Sequence, residues 1–282
     1  MKKLSVILGL MVLAACATNP VTGRKQLSTV DKNQVFPESF LAYQTALKES
    51  KISTNNTYVS MVQKVGGNIQ KAVENYFVSI NQPNYLDGYK WEYNVIESKE
   101  LNAWCMPGGK VAFYTGIFPV CKDDTGVAVV MSHEIAHAIA NHGIERQSQG
   151  NLVNTLGTIG AIAMGNSNMK STTSDTILQM YGIGSGVTLL SYSRVQESEA
   201  DEMGLIFMAL AGYDPAQAPE FWKRMSATEA SNSQRPPEFL STHPSSTTRI
   251  SDLNRLMPVA KQVYEQKSIQ PYLTYKGIGV KK

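Results

Sequence analysis

Residues 129 to 143, VVMSHEIAHAIANHG, are apolar almost all the way round if wound as a helix, yet carry His133, Glu134 and His137 at their centre. A helix without a polar face belongs in an interior. There, even an uncharged polar group left without a partner costs roughly 2–7 kcal/mol. The segment therefore demands a core that supplies partners to two imidazoles and a carboxylate. At about 3.6 residues per turn, His133 and His137 stand one above the other with Glu134 flanking them. This is the H-E-x-x-H spacing, in which the histidines hold zinc and the glutamate polarises a water. A pair of hydrogen-bonded core histidines is the alternative, and it leaves Glu134 unexplained.

A catalytic zinc usually takes three protein ligands and keeps one position open. An H-x-x-G-x-x-H extension would need Gly at 140 and His at 143, where the chain has Ala140 and Gly143, so that class is excluded. His142, five residues after His137, falls about 140° round the helix and reads as a helix-end residue near the carbonyl terminus. Cys105 would imply a deformylase-like site, for which nothing else speaks. The stretch YSRVQESEADEMGLIFMAL is the better source: Glu197 and Asp201 share a face with Gly204 and Met208, while Glu199 points to the opposite side. One carboxylate can bind zinc and the other can take the remaining N–H of a ligating histidine, which fixes the tautomer. Gly204 would let the two helices approach closely. A solvated acidic helix start is the bland alternative.

The rest of the chain sets the context. A net charge of +3 without a basic stripe excludes a nucleic-acid binder. MKKLSVILGLMVLAAC has the basic start, apolar run and small residues of an export signal, giving a signal peptide over 1–15. Leu13, Ala14, Ala15 and Cys16 resemble a bacterial lipobox, with Cys16 as the lipidated residue and membrane anchor. Residues 16–36, polar and turn-rich, read as a tether. Helices are expected over about 37–50 and 55–77. Short aromatic runs at 91–98, 101–107 and 110–116, with Pro107, Gly108 and Gly109 as a turn, predict a small antiparallel sheet just before the H-E-x-x-H helix. That helix is expected to stop at Gly143. Residues 151–190 read as two packed helices or a flap over a site, without a run long enough for a membrane span. Further helices are expected at about 193–211, 215–227 and 245–257, so the catalytic unit spans 37–260 and a tail 261–282. Cys105 and Cys121 are an even pair that either forms a disulfide or remains two buried thiols. The fold class is α+β, predominantly helical.

HEIAH followed about sixty residues later by ESEAD resembles the HtpX, BepA and Oma group of membrane-associated zinc endopeptidases, which are gluzincins with a zincin-like core. NPVTGRKQL, NAWCMPGGKVAFYTGIF and STHPSSTTRI match the group's pattern as well. The resemblance implies one zinc ion held by His133, His137 and Glu197, with Glu134 as general base and Asp201 behind a ligand. It implies that 101–106 is an edge strand, with Asn102, Ala103 and Trp104 pairing with an extended substrate, as an open edge allows. It places His243 near the metal, as a fourth ligand, switch or oxyanion contact, against the alternative of a surface turn with Ser245 as a cap. Arg249 is a further anion-stabilising candidate. Protein substrates follow, expected to be misfolded or unassembled envelope proteins at the periplasmic face of the outer membrane. The chain departs from HtpX in lacking convincing spans and from BepA in lacking a helical-repeat extension. A non-catalytic, zinc-stabilised chaperone or scaffold lipoprotein is the rival reading.

Overall fold

The apolar segment forms α4 (Asp124–Ile139), with Asp123 as its cap, the Asp123 carboxylate accepting from Gly126 N at 2.9 Å. Residues 126–139 of it are all buried. The computed structural model that shows this describes residues 16–151, 192–231, 239, 242–243 and 248–277. The export segment 1–15, the 152–191 stretch and Ser245 lie outside the described residues. Around α4 stand α2 (Asn56–Ser79), α6 (Arg194–Leu210), α7 (Gln217–Ser231) and a three-stranded sheet. The other elements are β1 (Cys16–Thr18), β2 (Lys25–Leu27), α1 (Lys32–Glu49), α3 (Phe118–Cys121), a helix α5 over 142–151, α8 (Arg249–Gln266) and α9 (Gln270–Lys276). The class is α+β and mostly helical. Among the described residues, no helix is long and apolar enough to cross a membrane.

The sheet has the order β3 (Glu92–Ile96), β5 (Lys110–Tyr114), β4 (Ala103–Met106). It corrects the expected antiparallel sheet to a mixed one. The Pro107–Gly109 turn does make β4 and β5 an antiparallel hairpin, but β3 runs parallel to β5, pairing Glu92 with Lys110 and Ile96 with Tyr114. Gly108 and Gly109 sit at φ +84° and +86°, where a side chain would be strained. β4 is left at the edge, against α4. A second apolar cluster of Tyr43, Ala46, Ile96, Trp104 and Met106 seats α1 on the sheet.

Several boundaries differ from the expectation, each for a local reason. Residues 16–27 are not a tether: β1 and β2 pair as an antiparallel hairpin, with Asn19 1% and Val21 0% exposed. α1 starts at Lys32, capped by Asp31, and carries Pro37 inside it. Pro37 marks a tolerated interior position where the sequence suggested a helix start. α4 ends before Gly143, because Asn141 takes the left-handed conformation at φ +56°. Its last carbonyls, on Ala138 and Ile139, accept from the Tyr89 and Tyr85 hydroxyls at 3.0 and 2.8 Å, which satisfies helix-end groups that water cannot reach. Residue 260 falls inside α8, and Tyr272 and Leu273 of α9 are buried, so no boundary separates a tail there.

Candidate metal centre

α4 sends the His133 and His137 rings from one face to the same point, and α6 meets them there. The start of α6 is fixed by a capping box: Gln196 N donates to Ser193 Oγ at 3.3 Å, and Ser193 N to Gln196 Oε1 at 3.0 Å. That sets Glu197 in the first turn, facing α4. Gly204, two turns on, lets the helices close: a Cβ there would lie 3.0 Å from His133 N and 3.1 Å from His133 Cα. His243 comes from the far side of the pocket, its ring stacked on Phe239 with centroids 4.5 Å apart.

Four side chains, His133, His137, Glu197 and His243, thus offer one ligand atom each within 4.8 Å of one another. His133 Nε2 is 3.1 Å from His137 Nε2 and 3.3 Å from His243 Nδ1. Glu197 Oε1 is 3.3 Å from His137 Nε2 and 3.1 Å from His243 Nδ1, and Glu197 Oε2 is 3.6 Å from His133 Nε2. Zinc binds such atoms at about 2.0–2.2 Å, so the corners of its tetrahedron lie about 3.3 Å apart. The donor types and the edges of this cluster both fit that ion.

The surroundings keep the donors in place. Asp201 Oδ1 lies 3.0 Å from His133 Nδ1, on the side of the ring away from the cluster. Arg249, the first residue of α8, donates from Nε to Asp201 at 2.6 Å and from Nη2 to Glu197, and lies over the Trp222 ring. Two of its nitrogens are therefore held by carboxylates, while Nη1 is buried with no hydrogen bond among the described residues. Burial raises the Glu197 carboxyl, but His243, His133 and His137 outweigh it and hold the group well below the usual carboxylate range. Burial lowers His133, but Asp201 and Glu197 outweigh it and lift the imidazole to about 9. For Glu134, burial wins and the carboxyl is pushed up. Glu134 Oε1 makes no hydrogen bond and lies 3.4 Å from His243 Nε2.

The sequence-derived candidates are distributed as follows. His243 is 3% exposed, so the surface-turn alternative fails. The side chains of Asn102, Ala103 and Trp104 are buried, and Trp104 packs edge-on against Tyr43. What β4 offers a ligand is therefore main chain. Tyr114 N donates to Asn102 O, so the main-chain groups of the even residues face β5 and those of Ala103 and Cys105 face the open edge, where Ala103 N donates to Asn102 Oδ1 at 2.9 Å. Leu101 O, also outward, accepts from Phe239 N at 3.1 Å, which brings the segment bearing His243 to that edge. Cys105 and Cys121 are free thiols, correcting the disulfide option. Cys105 Sγ turns to the Met106 carbonyl at 3.6 Å, while Cys121 closes α3, and burial pushes both thiols up. Sequence reasoning missed Tyr192, whose ring stacks on His137 at 3.8 Å, and gave His142 and Glu199 no role, although both are buried behind the cluster.

The sequence of residues 63–257, more than two thirds of the chain, matches the profile of peptidase family M48. The chain belongs to peptidase family M48. Among curated relatives, this M48 chain is 34% identical over 208 residues to the mitochondrial metalloendopeptidase OMA1 of Saccharomyces cerevisiae, covering 69% of this chain and 57% of the relative. It is 31% identical over 266 residues to the mitochondrial metalloendopeptidase OMA1 of Bos taurus, covering 90% and 48%. It is 28% identical over 182 residues to the β-barrel assembly-enhancing protease of Escherichia coli, covering 62% and 37%. The M48 chain spans about half the length of the curated relatives it matches.

Proposed function

We propose that this chain is a zinc-dependent endopeptidase, with His133, His137 and Glu197 as metal ligands and Glu134 as general base. The observation that carries the reading is the convergence of these three donors, at tetrahedral spacing, beside a buried carboxylate with an oxygen free of hydrogen bonds. Family M48 membership and the similarity to metalloendopeptidases point the same way. When bound, zinc would supply Lewis acidity toward a scissile carbonyl and a water molecule. Glu134 takes the proton of the attacking water and hands it to the leaving amine. A carboxyl pushed up by burial suits the first half of that exchange, because it makes Glu134 a stronger base toward the water. The open edge of β4 at Ala103 and Cys105 would align an extended peptide by main-chain bonds. His243 would fill the fourth donor position of such an ion, so catalysis by this centre would require it to withdraw.

The substrates we infer are misfolded or unassembled cell-envelope proteins, met at a membrane to which acylated Cys16 anchors the chain, at the periplasmic face of an outer membrane. Only Ala17 and Thr18, both in β1, separate Cys16 from buried Asn19, so such an anchor would hold the hairpin β1–β2, and not a loose tether, against the bilayer. One observation favours a second reading: four protein donors can close a zinc site, as in structural centres. In that case the chain would be a zinc-stabilised scaffold. Cleavage of unfolded casein, with and without a chelator, separates the two. Glu134→Gln should keep zinc and fold while losing nearly all cleavage; full activity in that variant would overturn the assignment of the base. Internal cuts in a terminally blocked peptide would establish endopeptidase action.

A further inference from the structure

The two imidazoles of α4 are held from behind by different means. His133 faces Asp201 directly at 3.0 Å, whereas among the described residues no carboxylate stands directly behind His137. Its Nδ1 lies 2.8 Å from Nδ1 of His142 instead. Two ring nitrogens at that separation share one hydrogen, so one must donate and the other accept. His142 Nε2 lies 2.8 Å from Glu199 Oε2. Glu199 also receives Arg24 Nε at 2.5 Å, Asn19 Nδ2 at 2.9 Å and the Thr22 hydroxyl. A carboxyl that already accepts from these three donors, one of them a guanidinium, is ionised and can only accept. His142 therefore carries its hydrogen on Nε2 and accepts on Nδ1. His137 must then be protonated on Nδ1, which directs the Nε2 lone pair into the cluster.

We propose that His142 and Glu199, backed by the hairpin residues Asn19, Thr22 and Arg24, are positioning residues that fix the tautomer and ring orientation of His137. The proposal rests on the reading of His137 as a metal ligand. The turn at Asn141 makes it geometrically feasible. Had α4 continued, His142 would point away from His137, but the left-handed residue folds the chain back. The hairpin is itself gripped from two sides. Arg24 Nη1 and Nη2 donate to Glu145 at 2.9 and 2.7 Å, and Gln196 Nε2, at the start of the Glu197 helix, donates to the same carboxylate at 2.8 Å. Asn19 closes the loop internally, its side-chain oxygen accepting from Val21 N at 2.8 Å. The N-terminal segment is thus built into the metal centre as its outer shell, and each α4 histidine is backed by a carboxylate of α6 and an arginine from a distant segment.

The test measures zinc affinity by chelator competition, the absorption bands of the cobalt-loaded protein and the melting temperature of the metal-free protein, on the full chain. Orienting partners of this kind are worth about 10–100-fold in metal affinity. His142→Leu should weaken zinc by that factor and shift the cobalt bands, and His142→Asn, which keeps an acceptor in the place of Nδ1, should recover much of the loss. Arg24→Gln, on the far side of Glu199, should lower the metal-free melting temperature through its lost bonds to Glu145 and Glu199 while still folding, and should weaken zinc severalfold and shift the cobalt bands; it decides the matter if the His142 variants do not fold. Wild-type affinity and bands in these variants would overturn the proposal, and so would equal losses in His142→Leu and His142→Asn, which would mean ring volume and not bonding. His137→Ala is the reference: if it keeps wild-type zinc affinity, the underlying ligand assignment fails instead.

Discussion

Gly204→Ala tests whether the spacing of α4 and α6 sets the metal centre. A methyl at this position would meet His133 N at 3.0 Å, His133 Cα at 3.1 Å and the Ser132 carbonyl carbon at 3.2 Å. All three are main-chain atoms of a buried helix, so no side chain can turn aside. Ordinary carbon contacts lie at about 3.5–4.0 Å, so the helices must part by roughly 0.5 Å. Overpacking of this sort costs about 1–3 kcal/mol, and at roughly 2–4 °C per kcal/mol for a large domain the melting temperature should fall by several degrees. The metal should notice more than the fold does, since Glu197 and Asp201 ride on α6 and ligand distances tolerate only about 0.2 Å. Zinc affinity should drop at least about tenfold, the lower end for a disturbed outer contact. Gly67→Ala is the matched control: Gly67 lies within α2, exposed, with nothing within 4 Å of an added Cβ. The same change there should stabilise by about 0.5–1 kcal/mol. Calorimetry and chelator competition read both effects. A Gly204→Ala protein that melts no lower than wild type and binds zinc equally would refute the claim that this contact sets the ligand spacing.

Acid should loosen the hairpin. Burial raises Glu145 and Glu199, but bonds from Arg24, Gln196, His142 and Thr22 outweigh it, leaving both below the ordinary 4.5. Depressed carboxyls stabilise the fold fully above the unfolded value and lose that contribution as pH falls below about 4.5 through the native values. Melting curves of wild type and Arg24→Gln should therefore converge below that pH, and a constant gap would contradict the linkage. Zinc uptake at pH 7.5 should release a proton, because burial notwithstanding, Asp201 and Glu197 hold metal-free His133 at about 9. Titration calorimetry in buffers of different ionisation enthalpy should show this release, and heats independent of buffer would count against it. Native protein should resist thiol reagents at Cys105 and Cys121, and a disulfide-linked peptide joining the two in a digest would contradict the structure.

The parts of this molecule that could be read from its sequence are those where one residue type has one use. An H-E-x-x-H run on an all-apolar helix, a pair of carboxylates four residues apart above a glycine, and a Pro-Gly-Gly turn each point to one local geometry. Where several structures share one composition, the reading failed. ATNPVTGRKQ is polar and turn-rich, like a tether, but its polar groups are spent on Glu199 and Glu145 and not on water. His142 was misplaced because helical periodicity was carried past Asn141, where the chain leaves the helix. Glu199 does point away from the cluster, as its spacing implies, yet the opposite face of α6 is also buried. The parallel pairing of β3 with β5 is a property of strand order, which no residue in either strand encodes.

Charge explains why so many ionisable groups can share one dry pocket. Glu134, Glu197 and Asp201 bring three carboxylates into it, and Arg249 donates hydrogen bonds to two of them. With the imidazoles neutral, two negative charges remain, in surroundings where an uncompensated charge costs several kcal/mol. A divalent cation removes that deficit, and a proton on His133 removes part of it, which is the physical content of the raised imidazole. The same ledger accounts for the division of labour on α6. Glu197, drawn to the centre by the rings, is the carboxylate proposed for the ion, whereas Asp201 and Glu199 face the backs of the histidines, one directly and one through His142. Each of these two outer carboxylates has its own arginine, Arg249 or Arg24, so neither adds its full charge to the centre. Among the described residues Glu134 is the one of these carboxylates with no arginine hydrogen-bonded to it, which is why it is the one proposed to exchange a proton.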